Sequence, residues 1–119
     1  MGKRILLIEP YADLADMIGF YLEELGYQFD VVTDAAMSVE DLTKSHYECV
    51  LINLDQNSDQ WRNSGLCLAE RASSLHLPVV MIADHEVAAA TISANGWKSV
   101  RKPFTVTKLE SAITEALAA

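Results

Sequence analysis

Glu9 follows the apolar run "RILLI", Asn53 closes the run "CVLI", Asp55 stands two positions beyond it, and Lys102 immediately precedes Pro103. A carboxylate oxygen can attack an electrophilic phosphorus or hold a divalent cation, and an ammonium can offset the charge of an anion beside it. Asn53 can do neither, because its amide has no ionised oxygen and its nitrogen is a poor nucleophile. Glu9 is followed by Pro10, so no second acid stands beside it. Asp59 and Asp84 fall in stretches where Asp is common for its turn chemistry. His46, His76 and His85 lack the spacing of a metal or nucleophilic site and read as surface residues. Cys49 and Cys67 have no CxxC or His pair beside them and read as buried, reduced thiols. No metal site is expected from these residues.

Alternating apolar runs and helical patterns must position those side chains. Residues 4–8 form a strand covered on both faces. Leu14, Met17, Ile18, Tyr21, Leu22 and Leu25 recur at the spacing of an amphipathic helix, and Gly26 stops it. Residues 27–32, "YQFDVV", alternate as a half-exposed strand near a sheet edge. Residues 34–46 make a weaker helix centred on Met37, Val39 and Leu42, and "ECVLIN" returns as a third, fully apolar strand. "QNSDQWRNSG", residues 56–65, reads as a polar loop holding Trp61, which caps a small core of its own or anchors a partner. "LCLAERASSL" then forms a third helix that stops before Pro78. "PVVMIA" is a fourth strand, residues 85–96 a small-residue helix closed by Asn95 and Gly96, and "WKSVRKPF" contains a short fifth strand. Leu109, Ala112, Ile113, Ala116 and Leu117 mark a last helix, capped by Thr107 with Glu110 or by Thr105.

Strands alternating with helices force parallel pairing and right-handed crossovers. The expected fold is α/β: one domain over residues 1–119, a doubly wound (βα)5 flavodoxin-like sandwich with a five-stranded parallel sheet and helices on both faces. In such sheets, binding and chemistry sit outside the carboxyl ends of the strands. Those ends carry Glu9 and Pro10, Asn53 to Asp55, Ala83 and Asp84, and Lys102 with Pro103.

Composition narrows the function classes. With 119 residues, 50% of them hydrophobic and 22% charged, the chain is that of a self-folding globular domain. A net charge of -8 and nine scattered basic residues argue against direct binding of nucleic acid. Glu9 interrupts the first apolar run too early for a signal peptide, and no run approaches a membrane span, so a cytoplasmic protein without membrane contact is expected.

"RILLIEP", "ECVLINLD", "LPVVMIAD" and "VRKPFTVTKLESAITEAL" together resemble the receiver domain of two-component response regulators, the CheY-like family, over essentially the whole chain. The resemblance implies a domain that takes a phosphoryl group from a histidine kinase onto an Asp ending the third strand. In that family Mg²⁺ is held by this Asp and two acids after the first strand. A Lys meets the phosphate, and a Thr or Ser after the fourth strand follows it and moves an aromatic ring on the fifth. Carried over by position, this chain has Glu9 for the first acid, Pro10 for the second, Asn53 for the phosphoacceptor, Ala83 for the hydroxyl and Val100 for the ring, and only Lys102 keeps its type. The spacing from Asn53 to Gly65 is also about four residues longer than usual for such domains.

A degenerate phosphorylation pocket, or pseudo-receiver, follows from those substitutions. No catalytic activity, no cofactor and no Mg²⁺ binding are expected, because two of three acids are gone. Lys102 is expected to meet Glu9, with Asn53 accepting a hydrogen bond. The plainer alternative is a solvated Glu9 and Lys102 at a rim, worth only ~0–1 kcal/mol as a pair. Function would then rest on protein partners in a signalling pathway, or on a homodimer, through the fourth and last helical segments and the fifth strand. Trp97, Lys98, Val100, Arg101 and Lys108 mark that face beside small residues such as Ala88 and Ala89, although close packing of an Ala-rich helix on the sheet explains the small residues equally well. Two other readings remain open: phosphorylation on Asp55, and a small-molecule module of flavodoxin type, disfavoured because no Gly-rich loop follows the first strand.

Overall fold

The computed structural model describes residues 3–33, 42–43, 46–54, 59–83 and 89–118. Its elements are β1 (Arg4–Ile8), α1 (Ala12–Glu24), β2 (Gln28–Val32), β3 (Cys49–Leu54), α2 (Asp59–Ser74), β4 (Val79–Ala83), α3 (Ala89–Ala94), β5 (Lys98–Arg101) and α4 (Val106–Ala118). All pairings are parallel, and the strand order is β2-β1-β3-β4-β5. The order reverses between β1 and β3, which opens a crevice at their carboxyl ends. The expected second helix, with Met37 and Val39, lies mostly outside the described residues, as do Asp55, Asp84, His85 and Ala88.

Side-chain alternation splits the core into two layers. Leu6, Ile8, Val50, Ile52, Leu54, Val79, Met81 and Ala83 face α2 and α3, joined by Leu68, Ala69, Ala72, Ile92 and Trp97. Ile5, Leu7, Cys49, Leu51, Val80, Ile82 and Val100 face α1 and α4, packed on Ile18, Leu22, Leu109 and Ile113. β3 is buried throughout, as its unbroken apolar run requires, while β2 is a half-exposed edge. Arg4 and Tyr47 both reach Asp30 on that edge strand, at 2.9 and 2.7 Å, and so tie it to β1 and to the segment before β3.

Helix ends follow local chemistry. Gly26 (φ 86°) and Gly96 (φ 73°) each close a helix, with paired bonds such as Gly26 N–H to Glu23 O and Tyr27 N–H to Leu22 O. His76 (φ 61°) does the same after α2 without glycine's freedom, its N–H bonded to Ser73 O and that of Leu77 to Ala72 O. Of the two caps expected for the last helix, Thr105 is the one used: its Oγ1 accepts the Lys108 N–H at 3.2 Å.

The third helix begins earlier than its sequence pattern suggests. Residues 59–65, read as loop, are the first turns of α2. Trp61, Gly65, Leu68, Ala69 and Ala72 lie on its inner side. The signal was hidden because Gly65 contributes contact through its lack of a side chain: a Cβ there would stand 3.1 Å from Leu54 Cδ2. The extra length before Gly65 is therefore spent partly in helix.

Two further expectations are corrected. Cys67 is exposed on α2, whereas Cys49 is buried and its thiol is pushed up to about 12 by burial. Met17 is 39% exposed, because the buried stripe of α1 runs through Ala15, Ile18, Gly19 and Leu22.

Candidate functional site

The crevice between β1 and β3 is built by register. Ile8 pairs with Ile52, so the next residues, Glu9 and Asn53, stand side by side at the strand ends. Both are completely buried. Asn53 Nδ2 donates to Glu9 Oε1 and Oε2, each at 2.9 Å, and the Tyr11 backbone N–H donates to Oε2 at 3.2 Å. A buried carboxylate needs such donors, since an ionised group without them bears a desolvation cost of several kcal/mol. The amide can take only this orientation, because turning it over would set Oδ1 against the carboxylate. Asn53 Oδ1 in turn has no hydrogen-bond partner among the described residues.

Trp61 reaches the end of β3 from α2. Its indole N–H donates to the Asn53 carbonyl at 2.6 Å, and its ring packs on the core layer beneath. Trp61 thus caps the strand end holding the amide, a role that its place in a polar stretch did not reveal.

The other expected site residues are placed unevenly. Alternation beyond Val100 puts Lys102 on the α1 side with Glu9, and the two line a common cavity. The Lys102 backbone N–H bonds to Ala83 O at 2.9 Å, joining the ends of β4 and β5. Ala83 itself packs into the opposite layer. The expectation that Asn53 accepts a hydrogen bond is overturned: its described side-chain bonds are donated, and they go to Glu9.

A divalent cation does not suit this arrangement. Mg²⁺ needs oxygen lone pairs, usually from one or two carboxylates with waters or phosphate. Here Glu9 turns its oxygens toward N–H hydrogens of Asn53 and Tyr11, and Asn53 supplies no charge. No group of three His, Cys, Asp or Glu suited to a metal occurs among the described residues.

The expected interaction face also changes. Trp97 is 7% exposed, its indole N–H donates to Ser73 Oγ at 2.6 Å, and its ring belongs to the α2–α3 core layer. Val100 is 4% exposed among Ile82 and Leu109. Neither is offered to a partner, because the strand's alternation turns Val100 inward and a large ring at the strand's start fills the space beside α2. Arg101 and Lys108 are exposed and Lys98 half-buried, so that face is basic rather than aromatic.

One cavity borders the site and another lies away from it. One, of about 260 Å³, lies between α1 and the β5–α4 connection, lined by Leu14, Met17, Ile18, Tyr21, Pro103 and Phe104 together with Glu9 and Lys102. Tyr21 and Phe104 meet edge to face there, their centroids 6.2 Å apart. The other, of about 360 Å³, opens beside His76, Pro78, Asn95 and Trp97 at the opposite ends of the strands. It takes no part in the crevice.

Comparison with known proteins supports the fold and supplies a family. Among solved structures, a response regulator receiver protein from Sinorhizobium medicae WSM419 superposes with a TM-score of 0.81 at 23% identity, covering 99% of this chain and 96% of that one. The receiver domain of the sensor histidine kinase PA1611 from Pseudomonas aeruginosa PAO1, which has magnesium coordinated in its active site cleft, gives 0.81 at 18%, covering 100% of both chains. NtrX from Brucella abortus, in complex with ADP, gives 0.80 at 25% identity, and although 99% of this chain is covered it spans only 26% of that one. No curated protein matches. The family model described as flagellar regulatory protein FleQ matches residues 4–118. The chain therefore has the fold of response regulator receivers and belongs to the FleQ family of flagellar regulatory proteins.

Proposed function

We propose that this domain is a signalling interaction module of flagellar regulation whose conformation is set without phosphorylation of the third strand's end. The observation that carries this reading is the buried amide of Asn53 on the Glu9 carboxylate. In that pairing the amide supplies the donors that a buried carboxylate needs, without adding charge of its own. The pocket holds its geometry with no ligand to wait for. Ala83 provides no hydroxyl to follow an incoming phosphate, and the exposed positions of β5, Ser99 and Arg101, carry no aromatic ring. Lys102 lines the same cavity as Glu9, which supports a part for its ammonium in balancing charge there. Regulation then passes through protein contacts, in a flagellar context taken from the family.

Incubation with acetyl phosphate and Mg²⁺ followed by intact mass tests this directly. The expected result is an unchanged mass for the native chain. An added phosphate that disappears in Asp55→Ala would transfer the function to that acid and defeat the proposal.

A further inference from the structure

The larger cavity lies at the opposite ends of the strands from Glu9 and Asn53, and its volume of about 360 Å³ falls within the range of about 300–1,000 Å³ usual for small-molecule sites. Two chain connections run side by side there, the one from α2 to β4 and the one from α3 to β5. Val79 and Trp97 reach the cavity from one core layer and Ala116 from the other, so it passes beneath the starts of β4 and β5. Leu77 and Pro78 continue the apolar wall.

The polar lining is uniform in what it offers. Ser73, His76, Asn95 and Lys98 each bring a hydrogen-bond donor. Ser73 Oγ accepts the Trp97 indole N–H, so the hydroxyl's own hydrogen must point elsewhere. Although the chain carries 17 acids, none lines this cavity among the described residues, and Lys98 brings a full positive charge. Helix ends usually present negative carbonyls. Here the chain's own N–H groups occupy them: His76 bonds Ser73 O, Leu77 bonds Ala72 O, and Trp97 bonds Ile92 O. His76 adds a second observation, because its φ of 61° strains a side chain, whereas Gly96 takes the corresponding place across the cavity at 73°. A glycine at 76 would close α2 with less strain; the histidine sets an imidazole at the cavity instead.

We propose that this cavity is a binding site for a small carboxylate with an apolar body, its carboxylate held by Lys98 and His76 and its body laid against Leu77, Pro78 and Trp97. Hydrogen bonds to an ionised partner are the stronger kind, and every polar side chain in the lining can donate one. A purely polar anion such as phosphate would leave the apolar wall unused, and a cation would meet Lys98. Ser73 lies at the end of α2, whose first turns bring Trp61 onto the Asn53 carbonyl. A ligand here therefore grips the far end of the helix that reaches the crevice, and gives the domain an input other than a phosphoryl group. The inference holds whether or not any residue is phosphorylated.

The test is a titration of the isotope-labelled native domain, followed by amide and indole resonances, with a panel of carboxylate fragments, their matched primary amides, primary amines and inorganic phosphate. Succinate and benzoate stand for the short and the aromatic skeletons. Carboxylates should move the Trp97 indole N–H and the amides of residues 73–77 and 95–98 to saturation, and leave the Trp61 indole N–H in place. His76→Gly and Lys98→Gln should each weaken the best carboxylate about fivefold or more. His76→Gly relieves strain rather than adding it, so a loss of binding there cannot be a loss of folding. No movement of these signals by any carboxylate would overturn the inference, as would amides, amines or phosphate binding as tightly as the acids, or affinities unchanged in both variants. None of these results bears on the acetyl phosphate experiment, so the two proposals fail separately.

Discussion

Asn53 Nδ2 donates to both carboxylate oxygens of Glu9, at 2.9 Å to each, in a crevice where neither residue is exposed. That relationship joins the ends of β1 and β3 at the point where the strand order reverses. It makes a buried negative charge tolerable without metal, and it ties stability to the chemical identity of residue 53.

Asn53→Asp should therefore destabilise the domain by roughly 3 kcal/mol near neutral pH, because it sets two carboxylates within contact of each other. One must take up a proton, which raises the folded-state pKa of the pair above the unfolded value of about 4. With a raised pKa, stability is retained below about pH 4 and lost as pH rises through the new value. The deficit against the parent should shrink on acidification, and added Mg²⁺ should raise the variant's Tm but leave the parent's unchanged. Melting curves with and without Mg²⁺ across pH 4–8 decide it, and equal Tm values throughout would contradict the role given to the amide.

Trp97 and Arg101 were expected on one binding face, but the structure separates them. Trp97→Ala should cost about 3–5 kcal/mol, as for other buried rings, while Arg101→Ala should fall within about 0.5 kcal/mol. Urea midpoints for the two variants are the check. A mild Trp97→Ala would mean that the ring is not part of the core.

His76 ends α2 in the left-handed conformation at φ 61°, where Gly26 and Gly96 serve α1 and α3. His76→Gly should raise stability by about 1 kcal/mol, since the strain of a side chain there exceeds glycine's entropic cost. Gly26→Ala should lower it by a similar amount. Thermal unfolding that moves the same way in both variants would refute this account.

The two cysteines should behave differently. Cys67 is exposed and should react with a thiol reagent in the folded protein, while Cys49 should react only on unfolding. The Cys49 thiol is raised from 9.0 to about 12 by burial, so the folded state holds its proton longer than the unfolded chain does. Stability from this source is full below pH 9.0 and is lost progressively as pH climbs toward 12. Tyr27, raised by burial and then by the charges of Cys49 and Glu110, acts in the same direction. Urea midpoints should fall as pH rises above 9, and more steeply in the parent than in Cys49→Ala.

What the sequence determined by itself was the alternation of strands and helices, the places where they stop, and the chemistry of each strand end. Apolar runs in β1, β3 and β4 announced strands buried on both faces, and the half-polar "YQFDVV" announced an edge. Asn53, Glu9 and Lys102 could be named because a doubly wound sheet brings its strand ends together. Their partnership could not be named, since whether an amide donates or accepts depends on which atoms stand opposite it. Register alone put Glu9 beside Asn53, and only then did the carboxylate dictate a donor. Trp61 and Trp97 illustrate the same limit. A tryptophan in a polar stretch reads as loop or surface, but packing drew both rings against the core and gave each indole N–H a partner, Asn53 O in one case and Ser73 Oγ in the other. Conversely, Met17 matched the helical stripe of α1 and still emerged exposed, because close approach of Gly19 to Phe29 set the rotation of the helix. Periodicity fixes which residues share a face. Which way that face turns is decided by contacts between elements far apart in the chain.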